Sequence, residues 1–226
     1  MNLQRIRALT LDLDDTLWPV WPAIERAELA LHAWLRTNAP ATALQFDVGA
    51  LRALRDAVGR QRPEWTHDLT ALRRESLRLA LLHSGDDVVL AEAAFEVFFA
   101  ARNAVDLYPE VPDALRRLSA AYPLLALTNG NADLARVGVA PWFRGGLSAR
   151  EFGVGKPDPR IFIEACRRLG CEPAEVLHVG DDLVLDVEGA RAAGMQTAWV
   201  RRSVDGVALE PGCFADLAAL VELLGC

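Results

Sequence analysis

Cysteine is scarce and carries no pattern in this 226-residue chain. Cys166, Cys171, Cys213 and Cys226 form no CxxC pair and no zinc-finger spacing, so they read as reduced core or surface thiols. Long apolar runs are missing too. None approaches the roughly 20 residues a membrane helix requires. The first apolar stretch, Ile6 to Leu11, is too short for a signal peptide and runs straight into Asp12. Positive charge is in deficit, with 24 Lys and Arg against 31 Asp and Glu and a formal net charge of -7. That balance argues against nucleic acid or an anionic membrane as the main partner. An anionic substrate would then need local cations to attract it. Internal repeats and low-complexity tracts are absent as well. The expectation is a cytoplasmic enzyme, monomeric or homodimeric.

What is present is globular. Hydrophobic residues make up 52% and charged residues 24%, far from a disordered composition, and the length suffices for a large core or a core plus a smaller domain. From about Tyr122 onward, short apolar strands alternate with helices. Pro123 to Leu127 ends at Thr128-Asn129-Gly130, Val176 to Val179 ends at Gly180-Asp181-Asp182, and Thr197 to Val200 is a third strand. Helical stretches are expected over Pro159 to Leu169, Leu185 to Ala193 and Ala215 to Leu224. This alternation implies an α/β fold with a Rossmann-like, doubly wound, mostly parallel sheet covered on both faces. Residues 19 to 105 differ, being rich in Ala, Leu, Arg and Glu at helical spacing and lacking a convincing strand. Leu69, Leu72, Ser76, Leu79 and His83 are expected on one face, with Arg73, Arg74 and Arg78 largely elsewhere. The reading is a helical domain over 18–106 inserted into a core formed by 1–17 and 107–226, with Pro-containing breaks at both junctions.

Chemistry concentrates in Asp12-Leu13-Asp14-Asp15-Thr16-Leu17, directly after the first predicted strand. Side chains two apart on an extended chain point the same way, so Asp12 and Asp14 would meet at a strand's carboxyl end, where open α/β sheets bind ligands. Two such charges call for a cation or a shared proton. Thr128-Asn129, Lys156 in Gly153-Val154-Gly155-Lys156-Pro157, and Asp181, Asp182 and Asp186 sit in equivalent places. Together they offer carboxylates for a hard divalent cation, a hydroxyl with backbone donors, and a fixed positive charge. That kit suits phosphoryl transfer. Phosphate-monoester hydrolysis calls for acceleration by up to on the order of 10^21, whereas one general acid supplies roughly 10^2 to 10^4. A Mg2+ ion and Lys156 are therefore expected from the outset.

At these residues the chain resembles the phosphatases of the haloacid dehalogenase superfamily. Asp12-Leu13-Asp14-Asp15-Thr16, Thr128-Asn129-Gly130, Lys156-Pro157-Asp158 and Gly180-Asp181-Asp182-Leu183-Val184-Leu185-Asp186 stand in the family's motif order, and the resemblance spans essentially the whole chain. It implies that the insertion is a cap of the first class, closing to exclude bulk water. It also implies that Asp12 is the nucleophile and Asp14 the general acid and then base. Thr128, the Asn129 amide and Lys156 would hold phosphate. Mg2+ would be bound by Asp12, the backbone carbonyl of Asp14, and Asp181, with Thr16, Asp182 and Asp186 in support. Asp182 stands where the family often has Ser.

Within the family, Pro63-Glu64-Trp65-Thr66-His67-Asp68-Leu69-Thr70 with Arg73, Leu127 to Asn131, and His178 to Asp182 resemble bacterial phosphatases of riboflavin biosynthesis. That implies 5-amino-6-(5-phospho-D-ribitylamino)uracil or FMN as the small phosphorylated metabolite. His67, Arg73, Trp18 and Trp21 are candidate substrate contacts. His178, among apolar strand neighbours, reads as a buried hydrogen-bonded histidine, and Asn131 and Asp158 as helix N-caps.

The alternatives are phosphatases of phosphoglycolate, nucleotides or sugar phosphates, a phosphomutase, a haloacid dehalogenase, and a non-enzymatic phospho-receiver domain. A receiver would carry no large helical insertion. The dehalogenases of the family lack a carboxylate two residues after the nucleophile, having no alcohol to protonate, so Asp14 points to a phosphatase. A P-loop is excluded because Arg150 replaces its first Gly and Pro157 follows Gly155-Lys156.

Overall fold

The computed structural model describes residues 2–202 and 212–226. Two compact units emerge: Met1–Pro19 with Asp106–Gly130 and Val137–Cys226, and Val20–Val105 with Asn131–Arg136. Trp18 and Pro19 thus group with the sheet and Asn131–Arg136 with the helices, a grouping that local sequence pattern does not reveal.

Among the described residues, the first unit is built on six strands: β1 (Ala8–Leu11), β2 (Leu124–Thr128), β3 (Gly146–Ser148), β4 (Val176–Gly180), β5 (Gln196–Val200) and β6 (Cys213–Phe214). Their order is β3-β2-β1-β4-β5-β6, and every pairing is parallel. The chain winds outward from β1 in both directions, as the alternating pattern implied. Every residue of β1, β2 and β4 is buried, which explains why these strands are continuous apolar runs rather than alternating ones. Three residues are polar: Thr128 ends β2, and Thr10 and His178 face one another across the β1–β4 register.

The helical unit contains α1 (Val20–Asn38), α2 (Pro40–Gln45), α3 (Val48–Gln61), α4 (Leu69–Ser84) and α5 (Ala91–Asn103). Its core joins Ala27, Leu31 and Leu35 of α1 to Leu77, Ala80 and Leu81 of α4 and to Ala94, Phe95 and Phe98 of α5. Asp47 and Asp68 cap α3 and α4 by accepting from Ala50 and Ala71 N–H. The α4 face differs from the sequence expectation. Leu72 and Ser76 are buried as expected and Leu79 is half-buried, but Thr70, Arg73, Leu77 and Ala80 are buried too, whereas Leu69 and His83 are exposed. The reason is Arg73, whose guanidinium lies 3.7 Å from the Phe98 ring centroid and 3.9 Å from Glu28. A cation over an aromatic face, beside a carboxylate, can enter a core that a bare charge could not.

Around the sheet lie α6 (Val111–Ala121), α7 (Pro159–Leu169) and α8 (Leu217–Leu224). Ile161, Phe162, Ala165 and Cys166 of α7 pack on Ala8, Leu125, Leu127 and Val176. Asp158 caps α7, accepting from Arg160 N–H, as expected. Asn131 caps nothing. Asp133 accepts the free N–H groups of the short helix at Leu134–Val137, and the Asn131 amide bonds Arg102 and Thr70. The expected helix from Leu185 begins instead as a π-helical turn, Leu183–Glu188, continuing as an α-turn over Gly189–Ala192.

Candidate active site

β1, β2 and β4 end side by side, so the residues that follow them share one rim of the sheet. Asp12 follows β1, its N–H donating to the Val179 carbonyl at 2.9 Å. Asp181 follows Gly180 at the end of β4. Asp186 returns toward the same point because the π-turn is wide: both Asp186 and Val187 N–H donate to the Asp182 carbonyl. One oxygen from each of Asp12, Asp181 and Asp186 lies within 4.8 Å of the others. Gly180 makes this approach feasible, since a Cβ there would sit 2.3 Å from the Asp186 carboxyl carbon.

Lys156, the chain's single lysine, reaches into this cluster. Its ammonium donates to Asp12 Oδ1 at 2.5 Å and to Asp186 Oδ1 at 2.6 Å, and all three side chains are buried. Asp186 is satisfied further by His178 Nε2 at 3.0 Å and by the Asp182 N–H at 3.0 Å. His178 Nδ1 meets the Thr10 hydroxyl at 2.8 Å, with Phe162 packed edge-on to the ring. His178 is therefore the buried, hydrogen-bonded histidine that its neighbours implied.

The electrostatics separate the three acids. Burial pushes Asp12 well above the carboxylate range against the pull of Lys156, and Asp186 and Asp181 push it the same way. Burial likewise raises Asp181 to about 6, with Thr16 opposing. Asp186 goes the other way: burial would raise it, but Lys156 and His178 outweigh that and hold it low. Burial would lower the Lys156 ammonium, yet Asp12 and Asp186 together hold it above its ordinary value. Burial depresses His178 against Asp186, which favours the neutral ring. With all three acids ionised, three carboxylates against one ammonium leave two negative charges in a largely buried cluster. A divalent cation with a preference for oxygen ligands matches that donor set and that residual charge.

The remaining motif residues are placed around this centre. Thr16 donates to Asp181 Oδ1 at 2.7 Å. Thr128, at the end of β2, is buried, and its hydroxyl oxygen accepts from Gly130 N–H at 2.9 Å. The Asn129 side chain is committed elsewhere: its amide donates to the Lys156 carbonyl and accepts from the Lys156 N–H, both at 2.8 Å. This two-point clamp fixes the backbone that carries the ammonium, and a Cβ on Gly155 would collide with it at 2.5 Å. Asp182 lies outside the group of three, since its carboxylate caps the π-turn through Val184 and Leu185 N–H. Asp14 lies outside it too. Its Oδ1 accepts from the Trp18 indole N–H at 2.9 Å, so the two acids expected to meet have separate partners.

Several candidate substrate contacts are correspondingly revised. Trp18 is fully buried, with no ring face open for stacking. Arg73 is occupied by Phe98 and Glu28 inside the helical unit. Trp21 is 53% exposed, with the Arg52 guanidinium 4.9 Å from its ring centroid. His67 is half-buried in the turn before α4. Sequence reasoning missed the Asn129 clamp, the Thr16–Asp181 bond and the Trp18–Asp14 bond. The proximity of Trp18 to the motif was the one available signal.

Comparison with known proteins agrees with this geometry. The family model for haloacid dehalogenase-like hydrolases matches residues 6–194, and the chain belongs to that family. Among characterised relatives, it is 38% identical over 203 residues to the 5-amino-6-(5-phospho-D-ribitylamino)uracil phosphatase YigB of Escherichia coli, covering 88% of this chain and 85% of that protein. It is 36% identical over 229 residues to a phosphoserine phosphatase of Thermus thermophilus, covering 88% and 90%. A crystal structure described as a 2-haloacid dehalogenase from Pseudomonas syringae superposes with a TM-score of 0.88 at 39% identity, covering 97% of this chain and 98% of that one.

Proposed function

We propose that the chain is a Mg2+-dependent phosphatase that hydrolyses a small phosphorylated metabolite through an aspartyl-phosphate on Asp12. At the coarser level it is a phosphatase of the haloacid dehalogenase-like family. The supporting observation is the Lys156 ammonium held between Asp12 and Asp186, with Asp181 within reach. Asp12, Asp181 and the backbone carbonyl of Asp14 would hold the ion, and when bound it supplies positive charge against the phosphoryl oxygens.

The chain's own residues then divide the work. Lys156 pulls the Asp12 carboxyl toward its ionised form against the cost of burial and fixes it in one orientation. An Asp12 oxygen attacks phosphorus as the ester P–O bond breaks, and the departing alkoxide takes a proton from Asp14. Water then attacks phosphorus and gives its proton to Asp14, the bond to Asp12 breaks, and inorganic phosphate leaves. Thr128 and the Asn129 backbone N–H hold phosphate oxygens, because the Asn129 side chain is occupied by Lys156. The helical unit serves as the substrate-selecting cap. The likeness to the Escherichia coli enzyme supports 5-amino-6-(5-phospho-D-ribitylamino)uracil or FMN as substrate.

The Pseudomonas syringae structure favours a second reading, dehalogenation of a 2-haloacid. Asp14 speaks against it, since halide departs without a proton. A screen of phosphorylated metabolites, including FMN, with and without EDTA and beside 2-haloacids, separates the two. The expected result is phosphate release abolished by EDTA and by Asp12→Asn, with no halide released. Halide release, or phosphate release indifferent to chelation, would overturn the proposal.

A further inference from the structure

We infer that Trp18 is a positioning residue for proton transfer, dictating which oxygen of Asp14 carries the proton given to the leaving group. The inference rests on the reading of Asp14 as general acid and deepens it.

The turn after β1 is tightly determined. Asp15 adopts a left-handed conformation with φ of 60°, which Asp tolerates better than most side chains. Its N–H donates to the Trp18 carbonyl at 2.7 Å, and Leu17 N–H donates to Leu13 at 2.8 Å. Asp14 and Trp18 are thereby paired as an isolated bridge. The Leu17 carbonyl accepts from Tyr108 N–H at 3.0 Å, fastening the turn to the chain that returns to the sheet. Trp18 itself has no exposed surface, so its ring has one orientation, with the indole N–H 2.9 Å from Asp14 Oδ1.

An indole N–H can donate but never accept. Asp14 Oδ1 must therefore present a lone pair to it in either protonation state, because a proton on that oxygen would confront a second donor. The transferable proton is confined to Oδ2. When the ester P–O bond breaks, the electron pair left on the alcohol oxygen takes that proton, and Asp14 becomes a carboxylate still anchored through Oδ1. A free carboxyl would present its proton on either oxygen and in more than one rotamer, and most of those arrangements would be unproductive.

The test exploits leaving groups, because only a poor one needs the proton. Trp18→Phe, Asp14→Asn and the parent enzyme are compared on an alkyl phosphate and on p-nitrophenyl phosphate, reading kcat/KM, which reports steps through alcohol departure. The expected result is that Trp18→Phe lowers kcat/KM about 10-fold on the alkyl ester and less than about 2-fold on the aryl ester, tracking Asp14→Asn in kind but not in size. Should the buried Phe leave a cavity that unfolds the protein, replacing Trp18 with 3-benzothienylalanine keeps the shape and removes only the N–H. Equal losses on both esters, or none on either, would overturn the inference while Asp14→Asn remains selective. Loss of that selectivity in Asp14→Asn would instead sink the reading of Asp14 as the acid.

Discussion

At the scale of single residues, the decisive fact is one ammonium set among three acids, two of them buried and the third half-buried. Burial makes such groups expensive unless their charges are matched, and removing one partner of a buried pair typically costs about 3–5 kcal/mol. Lys156→Met is therefore expected to lower unfolding stability by about that amount and to abolish phosphate release, as read by chemical denaturation and a turnover assay. Lys156→Arg is expected to fail as well. A planar guanidinium cannot replace a compact ammonium that bonds Asp12 and Asp186 at 2.5 and 2.6 Å. Near-parent activity in Lys156→Arg would show that fixed charge alone suffices. Gly180→Ala is a steric counterpart, because its methyl would overlap Asp186 at 2.3 Å. A large loss of melting temperature is expected there, and an unchanged melt would mean Asp186 has another place to go. Residue types and their spacing named most of this cluster in advance. What spacing could not show were the partnerships, because Asn129 with Lys156, Thr16 with Asp181 and Thr10 with His178 join residues 27, 165 and 168 positions apart.

At the scale of elements, the strands that position the site were legible because burial on both faces makes them uninterrupted apolar runs. β2, β4 and β5 fall within one residue of their expected ends, and the helix Pro159–Leu169 matches its expected bounds. β3 and β6 went unread because three- and two-residue strands show no periodicity. The α4 face was read only in part, with Leu72 and Ser76 buried as expected, because an arginine was taken as a surface residue, whereas its apolar stem and the Phe98 ring let it be buried. The π-turn was invisible because i to i−5 bonds leave no local signature in the sequence, yet it carries Asp186 back to Lys156. Asp182 holds the start of that turn through two N–H groups. Asp182→Ala is expected to destabilise by about 0.5–2 kcal/mol through the lost cap while retaining metal dependence. Loss of metal binding with stability intact would instead place Asp182 among the ligands.

At the scale of the whole molecule, a chain of net charge -7 must bind an anion, so attraction has to be local. Asp181 ties that attraction to pH. Its folded value of about 6 lies above its ordinary 3.8, so in cation-free protein the folded state holds the extra proton between those values. Stability from Asp181 is thus fully present below 3.8 and lost as pH rises through 6, where a cation can replace the proton. His178, held low by burial, contributes in the opposite sense, its stability being lost as pH falls below 6.5. Comparing melts with and without Mg2+ at each pH removes that contribution. The Mg2+-induced rise in melting temperature is expected to be small at pH 5 and to grow through pH 6 to 7.5. A rise independent of pH would detach Asp181 from the cation. None of the helices among the described residues is long and apolar enough to cross a membrane. The most direct measurement is chemical trapping of the intermediate: rapid quench with substrate and Mg2+, borohydride reduction, and tandem mass spectrometry across the peptide holding Asp12. The account predicts reduction of residue 12 to homoserine, absent in Asp12→Asn. Turnover with unmodified Asp12 and the trapped group on another side chain would contradict it.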